Sequence, residues 1–332
     1  MARRSLGVVA LIGAVAALVL AAAHTSTPPL SELLLPESLR ETGFASLDSP
    51  AFQRIFSLAH EDQPDALYLL ALLKLYGHED VVAQDVAAGV KLLRSLASSG
   101  HRDAEFALGV LHLTGEGGVR ASDREGGAWL ASSANHGHAD AKWVLATLYN
   151  EGRGVPQDPV RALALLREAA GLRNPRALFH LGVMVEYGRG GARRNFSLAA
   201  ELYREASGYL LPEALHYLAL LHASGRGVPK NTPQAVQLLG RAAELGFAPA
   251  MLRLGEMYAD GDGVALDYTQ ALDWFTRAAT AAPDGEYVHA VAMQRQRELS
   301  QLLSDAEEFV RAQERVLGVR IRVRLGVIEA ET

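Results

Sequence analysis

The chain has 332 residues, and none of them is cysteine. This absence excludes a disulfide framework, a thiol nucleophile and the lipid anchor that some exported proteins carry on a cysteine. It leaves the redox compartment open, because a chain without cysteine is compatible with any compartment.

Motifs of the common catalytic sites are also missing. The sequence has no Gly-x-x-x-x-Gly-Lys-Ser/Thr loop, no His-Glu-x-x-His and no Gly-x-Ser-x-Gly. His216 and His222 lie six residues apart, a spacing that does not place two imidazoles on one helix face for a metal. There is no basic tract of the kind that binds nucleic acid. We therefore expect no enzymatic activity, no cofactor, no metal site and no nucleic-acid partner.

What the chain does contain is a block of about 37 residues that recurs six times. Each copy opens on an alanine, and successive alanines are 38, 37, 36, 37 and 36 residues apart. A fixed period in this range predicts stacked two-helix units, none of which buries its apolar face alone. With 49% hydrophobic and 21% charged residues and a net charge of -6, the composition is that of a folded protein. The opening alanines are Ala66, Ala104, Ala141, Ala177, Ala214 and Ala250.

Several positions of the block have a physical role. With the alanine counted as position one, position five is leucine, and position six is alanine or glycine, small enough for another helix to approach closely. Position twelve is glycine in all six copies, and it supplies the positive φ that ends the first helix. An Asp or Asn then opens the second helix by accepting hydrogen bonds from its free N–H groups. The six predicted caps are Asp85, Asp123, Asp158, Asn195, Asn231 and Asp267.

The pattern Ala-x-aromatic-x-Leu-Gly/Ala-x-Leu/Met-x-x-x-Gly-x-Gly-Val-x-x-Asp/Asn-x-x-x-Ala-x-x-Leu-x-x-Ala-Ala resembles the Sel-1-like repeat family, a relative of the tetratricopeptide repeats with a longer loop. Six copies cover residues 65–282. The first copy departs most, because it has His78-Glu79-Asp80 where Gly-x-Gly-Val is expected. The resemblance implies an all-α fold, a right-handed α/α superhelical solenoid of about six repeats with helical caps at both ends.

The N-terminus has the layout of a secretory signal. Arg3 and Arg4 precede an uncharged apolar run from Leu6 to Ala23. Cleavage after Ala23 removes residues 1–23 as a signal peptide. The alternative is a retained anchor, since the 18 apolar residues span about 27 Å, near the thickness of the hydrocarbon core. In both cases the repeats are expected to lie across the membrane.

Residues 24–64 are predicted to form a linker and one short capping helix around Phe52 to Leu58. On the other side of the repeats, residues 283–318 are predicted to form two capping helices, Tyr287 to Leu303 and Asp305 to Leu317. Such caps shield the open end of a repeat array from solvent.

The tail, residues 319–332, changes its periodicity. From Val319 to Val327 apolar residues alternate with Arg320, Arg322, Arg324 and Gly326. Strict alternation predicts a strand. This strand is unpaired, folded back on the cap or a site for a partner, and the first two interpretations are favoured.

A concave surface is expected if the repeats pack in the same way as tetratricopeptide repeats. Positions three, seven, ten and eleven of the first helices then face this surface, and large rigid rings at position three are suited to anchoring a peptide. The alternative is that position three is covered by the neighbouring unit and is plain core. Position eleven varies more, so it is expected to determine selectivity. The predicted groove residues are Tyr68, Phe106, Trp143, Phe179 and His216 at position three and Tyr187 at position eleven.

One sequon lies in the loop of the fourth unit. Asn195-Phe196-Ser197 matches the N-glycosylation pattern. Asn195 is either a glycan acceptor or simply the helix cap that its repeat position predicts.

These features predict a non-catalytic scaffold for protein–protein interaction on the extracytoplasmic side of a membrane. The family resemblance implies adaptors, among them the lumenal adaptor of the membrane ubiquitin ligase in endoplasmic-reticulum-associated degradation. The alternative is a bacterial periplasmic or envelope scaffold for secretion, polymer export or signalling, and a hydrolase is less favoured. The expected partner is a protein or peptide in the concave groove, with membrane contact only through an uncleaved N-terminal segment.

Overall fold

The computed structural model describes residues 49–77, 82–283, 285–317, 321–324 and 327–330, with side chains between 52 and 308. The predicted signal segment and the His78-Glu79-Asp80 loop lie outside the described residues. None of the helices among the described residues combines the length and apolarity needed to cross a bilayer.

The described residues form fourteen helices and one β-hairpin. Helix α1 (Ser49–His60) precedes the repeats and overlaps the expected capping helix. Consecutive helices then pack in pairs as in a repeat solenoid, which confirms the all-α fold class. The pairs are α2 (Pro64–Tyr76) and α3 (Val86–Ser98), α4 (Arg102–Thr114) and α5 (Asp123–Asn135), α6 (Ala139–Glu151) and α7 (Pro159–Gly171), α10 (Pro212–Ser224) and α11 (Thr232–Glu244), and α12 (Ala248–Asp260) and α13 (Tyr268–Ala281). Between α7 and α10 the chain forms α8 (Pro175–Tyr187) and α9 (Phe196–Ser207).

The chain divides into two compact units. The first runs to Met184 and includes Gly188–Arg193, and the second comprises Val185–Tyr187 and the residues from Arg194 onward. Within the first unit, α3 also packs on α4, and α5 on α6, so each second helix touches the next first helix. Within the second unit, α11 packs on α12 in the same way. Apolar faces that one helix pair leaves open are therefore covered by the next pair.

The predicted caps of the second helices are confirmed in five of the six repeats. In each of the five, the Asp or Asn side chain accepts a hydrogen bond from a backbone N–H in the first turn. The prediction was wrong for Asp123, because Ser122 caps α5 by accepting from Glu125 N at 3.3 Å. Asp123 is instead the first helical residue and binds the Arg153 guanidinium of the next repeat at 2.8 Å.

The glycines at position twelve end the first helices as predicted, with φ between +68° and +74°. At the ends of the second helices, the first, second and fifth repeats have a closing glycine with positive φ, and the third and fourth repeats have another residue there. Arg173 and Leu210 stand there with φ of +60° and +58°. Because a residue with a Cβ is strained at positive φ, each of these two turns costs on the order of 1 kcal/mol.

The second helices bury the faces that their apolar spacing predicts. In α11 the apolar residues at i, i+3, i+4, i+7 and i+8 form one stripe that is buried throughout, and Leu238 is the most exposed of them at 5%. They are Ala235, Leu238, Leu239, Ala242 and Ala243. In α7, Leu165 and Ala170 at the edge of the stripe are only partly buried. The apolar spacing thus identifies which side of a second helix faces the core, but the width of the buried face differs from one repeat to another.

The C-terminal cap is one helix, α14 (Tyr287–Leu317), and not the two helices that were predicted. Its 31 residues contain no Gly or Pro. Ser304 alone does not interrupt it, and Gln301 Nε2 donates to Asp305 Oδ1 at 2.7 Å across this position. Phe275 of α13 packs against Leu299 of α14, so the helix covers the last repeat.

The tail forms two short strands where one was predicted. β1 (Ile321–Arg324) pairs antiparallel with β2 (Val327–Ala330), with Arg324 opposite Val327. The prediction of one strand through Val327 was therefore wrong, and Gly326 lies between the two strands. The partner of β1 is the next segment of the same chain.

Candidate functional site

The aromatic side chains at position three of the first four repeats are buried. None is more than 3% exposed. The structure therefore places them in the interior, in agreement with the core alternative, and they do not form an open surface that anchors a peptide. His216, at position three of the fifth repeat, is partly exposed. The four buried rings are Tyr68, Phe106, Trp143 and Phe179.

Three of these rings stack on a histidine that belongs to the next first helix or its cap. Stacking of this kind joins neighbouring repeats through a large contact area. The aromatic residue at position three is therefore part of the packing between repeats. The centroid distances are 4.4 Å for Phe106 and His138, 5.4 Å for Tyr68 and His101, and 5.9 Å for Trp143 and His180.

His138 also connects two repeats by hydrogen bonds. Its Nδ1 accepts the N–H of Ala141 at 3.2 Å and so caps α6. Its Nε2 lies 3.3 Å from Oδ1 of Asp103, in the first turn of α4. One imidazole therefore satisfies a free helix N–H and a carboxylate of the preceding repeat at once.

The same link occurs on either side of His138. His101 caps α4 and its Nε2 lies 3.1 Å from Asp65 Oδ1. Asn174 caps α8 and donates from Nδ2 to Asp140 Oδ1 at 2.7 Å, where both side chains are buried. This series of links was not among the sequence predictions. Its signal is an Asp just before the opening alanine and a His or Asn three residues before the next one.

Among the described residues, Asp65, His101 and Asp103 form the cluster that comes nearest to a metal site, with one potential ligand atom each within 4.8 Å of the others. A neutral imidazole carries a proton on only one nitrogen. Because His101 Nδ1 accepts the N–H of Ala104, Nε2 carries the proton and donates to Asp65. A metal ion would have to displace that proton while Nδ1 still serves as the cap. The cap accounts for the cluster, and we assign no metal to it.

Two buried carboxylates are held as structural ties within the units. Glu105, 2% exposed, accepts from Ser132 Oγ and is joined to His136 Nδ1, both at 2.7 Å. Glu186, 3% exposed, accepts from the hydroxyl of Tyr203 at 2.8 Å. Burial and the Glu186 carboxylate raise the pKa of Tyr203, which keeps the hydroxyl protonated as a donor. These partners satisfy groups that are costly to bury unpaired.

The more open positions of the first helices are seven and eleven. At position seven, Leu72 and Val110 are buried, whereas the later repeats have partly exposed residues there. At position eleven, Tyr187 is 53% exposed. Ser224 and Asp260 are exposed at the same position. Of the six predicted groove residues, Tyr187 is thus the one with a largely open ring, and His216 is partly open.

A cavity of about 380 Å³ lies at the C-terminal end of the array, between α12, α13 and α14. Phe275 and Leu299 form its apolar floor and are 2% and 8% exposed. Glu256 and Asp260, at positions seven and eleven of the last repeat, line one side. The end groove, as we call this cavity and its rim, is where two of the predicted concave positions border a defined space.

Asn195 is the N-terminal cap of α9. Its Oδ1 accepts from Leu198 N at 3.0 Å, and the side chain is exposed. Ser197, the third residue of the sequon, donates from Oγ to the carbonyl of Gly227 at 3.0 Å. The cap interpretation is therefore confirmed. Because a glycan attaches to Nδ2, which the cap does not use, glycosylation of Asn195 stays a prediction.

Burial and the nearby Arg253 guanidinium lower the pKa of His216 to about 4. The unfolded chain protonates this residue near its ordinary pKa of about 6.5. The free energy of unfolding therefore falls as the pH drops from about 6.5 to about 4. Above about pH 6.5 the contribution of neutral His216 to stability is fully present.

His216→Phe places a non-titrating ring at this position, as in the second and fourth repeats. The free energy of unfolding of the wild type falls with pH in this range, but that of the variant does not fall with it. We therefore expect the difference, variant minus wild type, to increase by on the order of 2 kcal/mol as the pH is lowered from about 7 to about 4.5. Urea unfolding at a series of pH values measures this difference. A difference that does not change with pH contradicts the expectation.

The comparisons with known proteins agree with this geometry. The sequence profile of the Sel1 repeat matches six segments, residues 64–101, 102–138, 139–174, 175–207, 212–247 and 248–282. A comparison with curated proteins finds no match. These matched segments define a helical-hairpin repeat protein, and the chain belongs to the Sel1 repeat family.

Two solved structures of similar fold are bacterial. One is c5321, a protective antigen present in uropathogenic Escherichia coli strains, with 23% identity, a TM-score of 0.62 and coverage of 74% of this chain. The chain spans 56% of the length of c5321. The other is a Sel1 repeat protein from Oxalobacter formigenes, with 25% identity, a TM-score of 0.59 and coverage of 70% of this chain and 84% of that one. Sel1 repeat proteins are generally non-catalytic scaffolds, and this fold is consistent with protein–protein interaction.

Proposed function

We propose that the protein is a non-catalytic scaffold that binds a protein or peptide partner on the extracytoplasmic side of a membrane. The observation that supports this proposal is the contrast between positions three and seven of the first helices. Position three is buried packing in the first four repeats. Position seven is partly open from the third repeat on, with a different residue in each: Thr147, Val183, Leu220 and Glu256. A constant frame with varied open positions supports selective binding of one partner.

For the compartment, the proposal is the endoplasmic reticulum, with the chain as a lumenal adaptor in endoplasmic-reticulum-associated degradation. The apolar run from Leu6 to Ala23 and the exposed sequon at Asn195 support this location. The alternative is a periplasmic or envelope scaffold, and its support is the likeness to the Oxalobacter formigenes protein.

The sequon gives a sharp test of the compartment. Asn195→Asp removes the glycan acceptor but keeps a good helix cap, so the fold is preserved. The lumenal location predicts a glycosidase-sensitive shift in mass that is lost in Asn195→Asp and kept in Ser197→Thr, which retains the sequon. Export without any such shift favours the envelope alternative.

Binding itself is tested by crosslinking in cells followed by mass spectrometry. A partner that crosslinks through the open positions of the first helices supports the scaffold. Crosslinks confined to the outer faces of the second helices contradict binding at these positions. The native full-length chain is the bait, because the caps at both ends belong to the folded array.

A further inference from the structure

The end groove carries more negative than positive charge. Its two arginines are neutralised by glutamates on their own helices, with Arg253 2.8 Å from Glu256 and Arg295 3.3 Å from Glu298. Asp260 lines the same cavity, is exposed, and has no ion pair among the described residues. The groove therefore offers an uncompensated carboxylate beside an apolar floor.

The loop of the last repeat adds to this charge. At position thirteen the three preceding repeats carry arginine, Arg153, Arg189 and Arg226, but the last repeat carries Asp262. In the earlier loops Arg153 is bound to Asp123 at 2.8 Å, and Arg226 lies 3.6 Å from Glu186. Asp262 is exposed and lies two residues beyond Asp260. Of the last four repeats, only this one has an acidic residue at position thirteen, in the loop that follows Asp260.

Helix α14 continues the acidic surface beyond the groove. Leu302, at the edge of the groove, is 52% exposed. Between residues 298 and 308 the helix has four acidic residues and no basic one. After residue 308 the sequence reverses its charge, with five arginines and one glutamate between residues 309 and 326. These arginines are Arg311, Arg315, Arg320, Arg322 and Arg324.

The segment from residue 298 to residue 326 has an acidic first half and a basic second half. Such a segment is complementary in charge to a second copy of itself in antiparallel orientation. A two-fold axis near residue 310 of α14 brings Asp305 of one copy opposite Arg315 of the other, by count along the helix. Two-fold pairs require this kind of self-complementary surface. The tail that follows Leu317 then reaches the end groove of the other copy, which begins at Leu302.

The tail has the composition that the end groove fits. In β1 and the residue before it, arginines alternate with Ile321 and Val323. In the same chain, α14 is continuous from the groove to Leu317, and β1 contacts this helix. The 15 residues after Leu302 extend about 22 Å at the helical rise. We propose that the end groove binds the arginine-alternating tail of a second copy of this chain, in a reciprocal pair.

Sedimentation velocity of the purified full chain over a range of concentrations tests the proposal. We expect a reversible dimer whose dissociation constant rises at least about tenfold between low and high salt, since the contacts are charged. A chain that stays monomeric at all concentrations overturns the proposal. A monomer whose tail crosslinks to its own groove overturns it too, in favour of binding within one molecule.

Charge reversal makes the test specific. Asp260→Arg with Asp262→Arg reverses the charge of one groove residue and of the loop that follows it, and Arg322→Glu with Arg324→Glu reverses the charge of the tail. Each double variant alone is expected to be monomeric, and a mixture of the two is expected to dimerise, because each tail then matches the groove of the other variant. Arg167→Glu with Arg241→Glu, at exposed arginines elsewhere, is the matched control and keeps the dimer. Circular dichroism checks that every variant is folded, and a mixture that stays monomeric refutes the tail-in-groove pairing.

Discussion

Gly154→Ala is expected to destabilise the first unit by more than about 3 kcal/mol. Gly154 has φ of +66°, which alanine adopts at a cost on the order of 1 kcal/mol. A Cβ at this position lies 2.1 Å from the carbonyl oxygen of Asp123, at the start of α5. The obstacle is backbone, so it cannot move aside as a flexible side chain does, and the two repeats must separate.

Gly118→Ala is the matched control for this prediction. Gly118 has the same φ of +66°, but a Cβ there meets no atom within 4 Å. We expect this variant to lose only about 1 kcal/mol, the cost of the backbone conformation. Urea unfolding of both variants and the wild type gives the two losses. Equal losses show that conformation alone, and not the contact between repeats, explains the second glycine of the loop.

The second glycine of the Gly-x-Gly loop has two physical causes, and the sequence shows only one of them. The Gly-x-Gly spacing indicates a tight turn, which is a local property and is visible in one repeat. The close approach to the preceding repeat is not local. It recurs at Gly227, where a Cβ lies 2.3 Å from the carbonyl carbon of Phe196. Only the stacking of repeats brings these atoms together, so no single block of sequence shows it.

Helices and caps were the most predictable part of the fold, because their signals are short-range. A side chain that accepts from an N–H two or three residues ahead needs no tertiary contact, and five of six such caps were found. The failure at Asp123 follows from two adjacent polar residues that compete for one cap. Ser122 takes the cap, while Asp123 is used by Arg153 of the next repeat.

The candidate site was harder to predict, because the interior of this protein lies between repeats. Helical periodicity shows that Phe106 and Trp143 lie on an apolar face, but it does not show what covers that face. The stacking partners His138 and His180 come from the following repeat. The end groove depends on α14, which follows the last repeat and has no repeat pattern, so periodicity gave no sign of it.

Phe106→Ala compared with Tyr187→Ala separates packing from binding. Phe106 is 1% exposed and stacks on His138, so its truncation leaves a cavity between two repeats. We expect Phe106→Ala to lower the free energy of unfolding by about 3–5 kcal/mol. Tyr187 is 53% exposed, so Tyr187→Ala is expected to lose only on the order of 0.5–1 kcal/mol and to weaken capture of a partner.

Thermal and urea unfolding measure the first effect, and recovery of crosslinked partner at equal protein levels measures the second. The ring of Phe106 cannot contact a partner without leaving its place against His138, so partner capture by Phe106→Ala is expected to fall only as far as its folded fraction falls. If Phe106→Ala keeps its stability but loses the partner, the ring is a binding residue after all. In that case the stack on His138 is open in the binding state, and the groove predicted from the sequence exists in the partner complex.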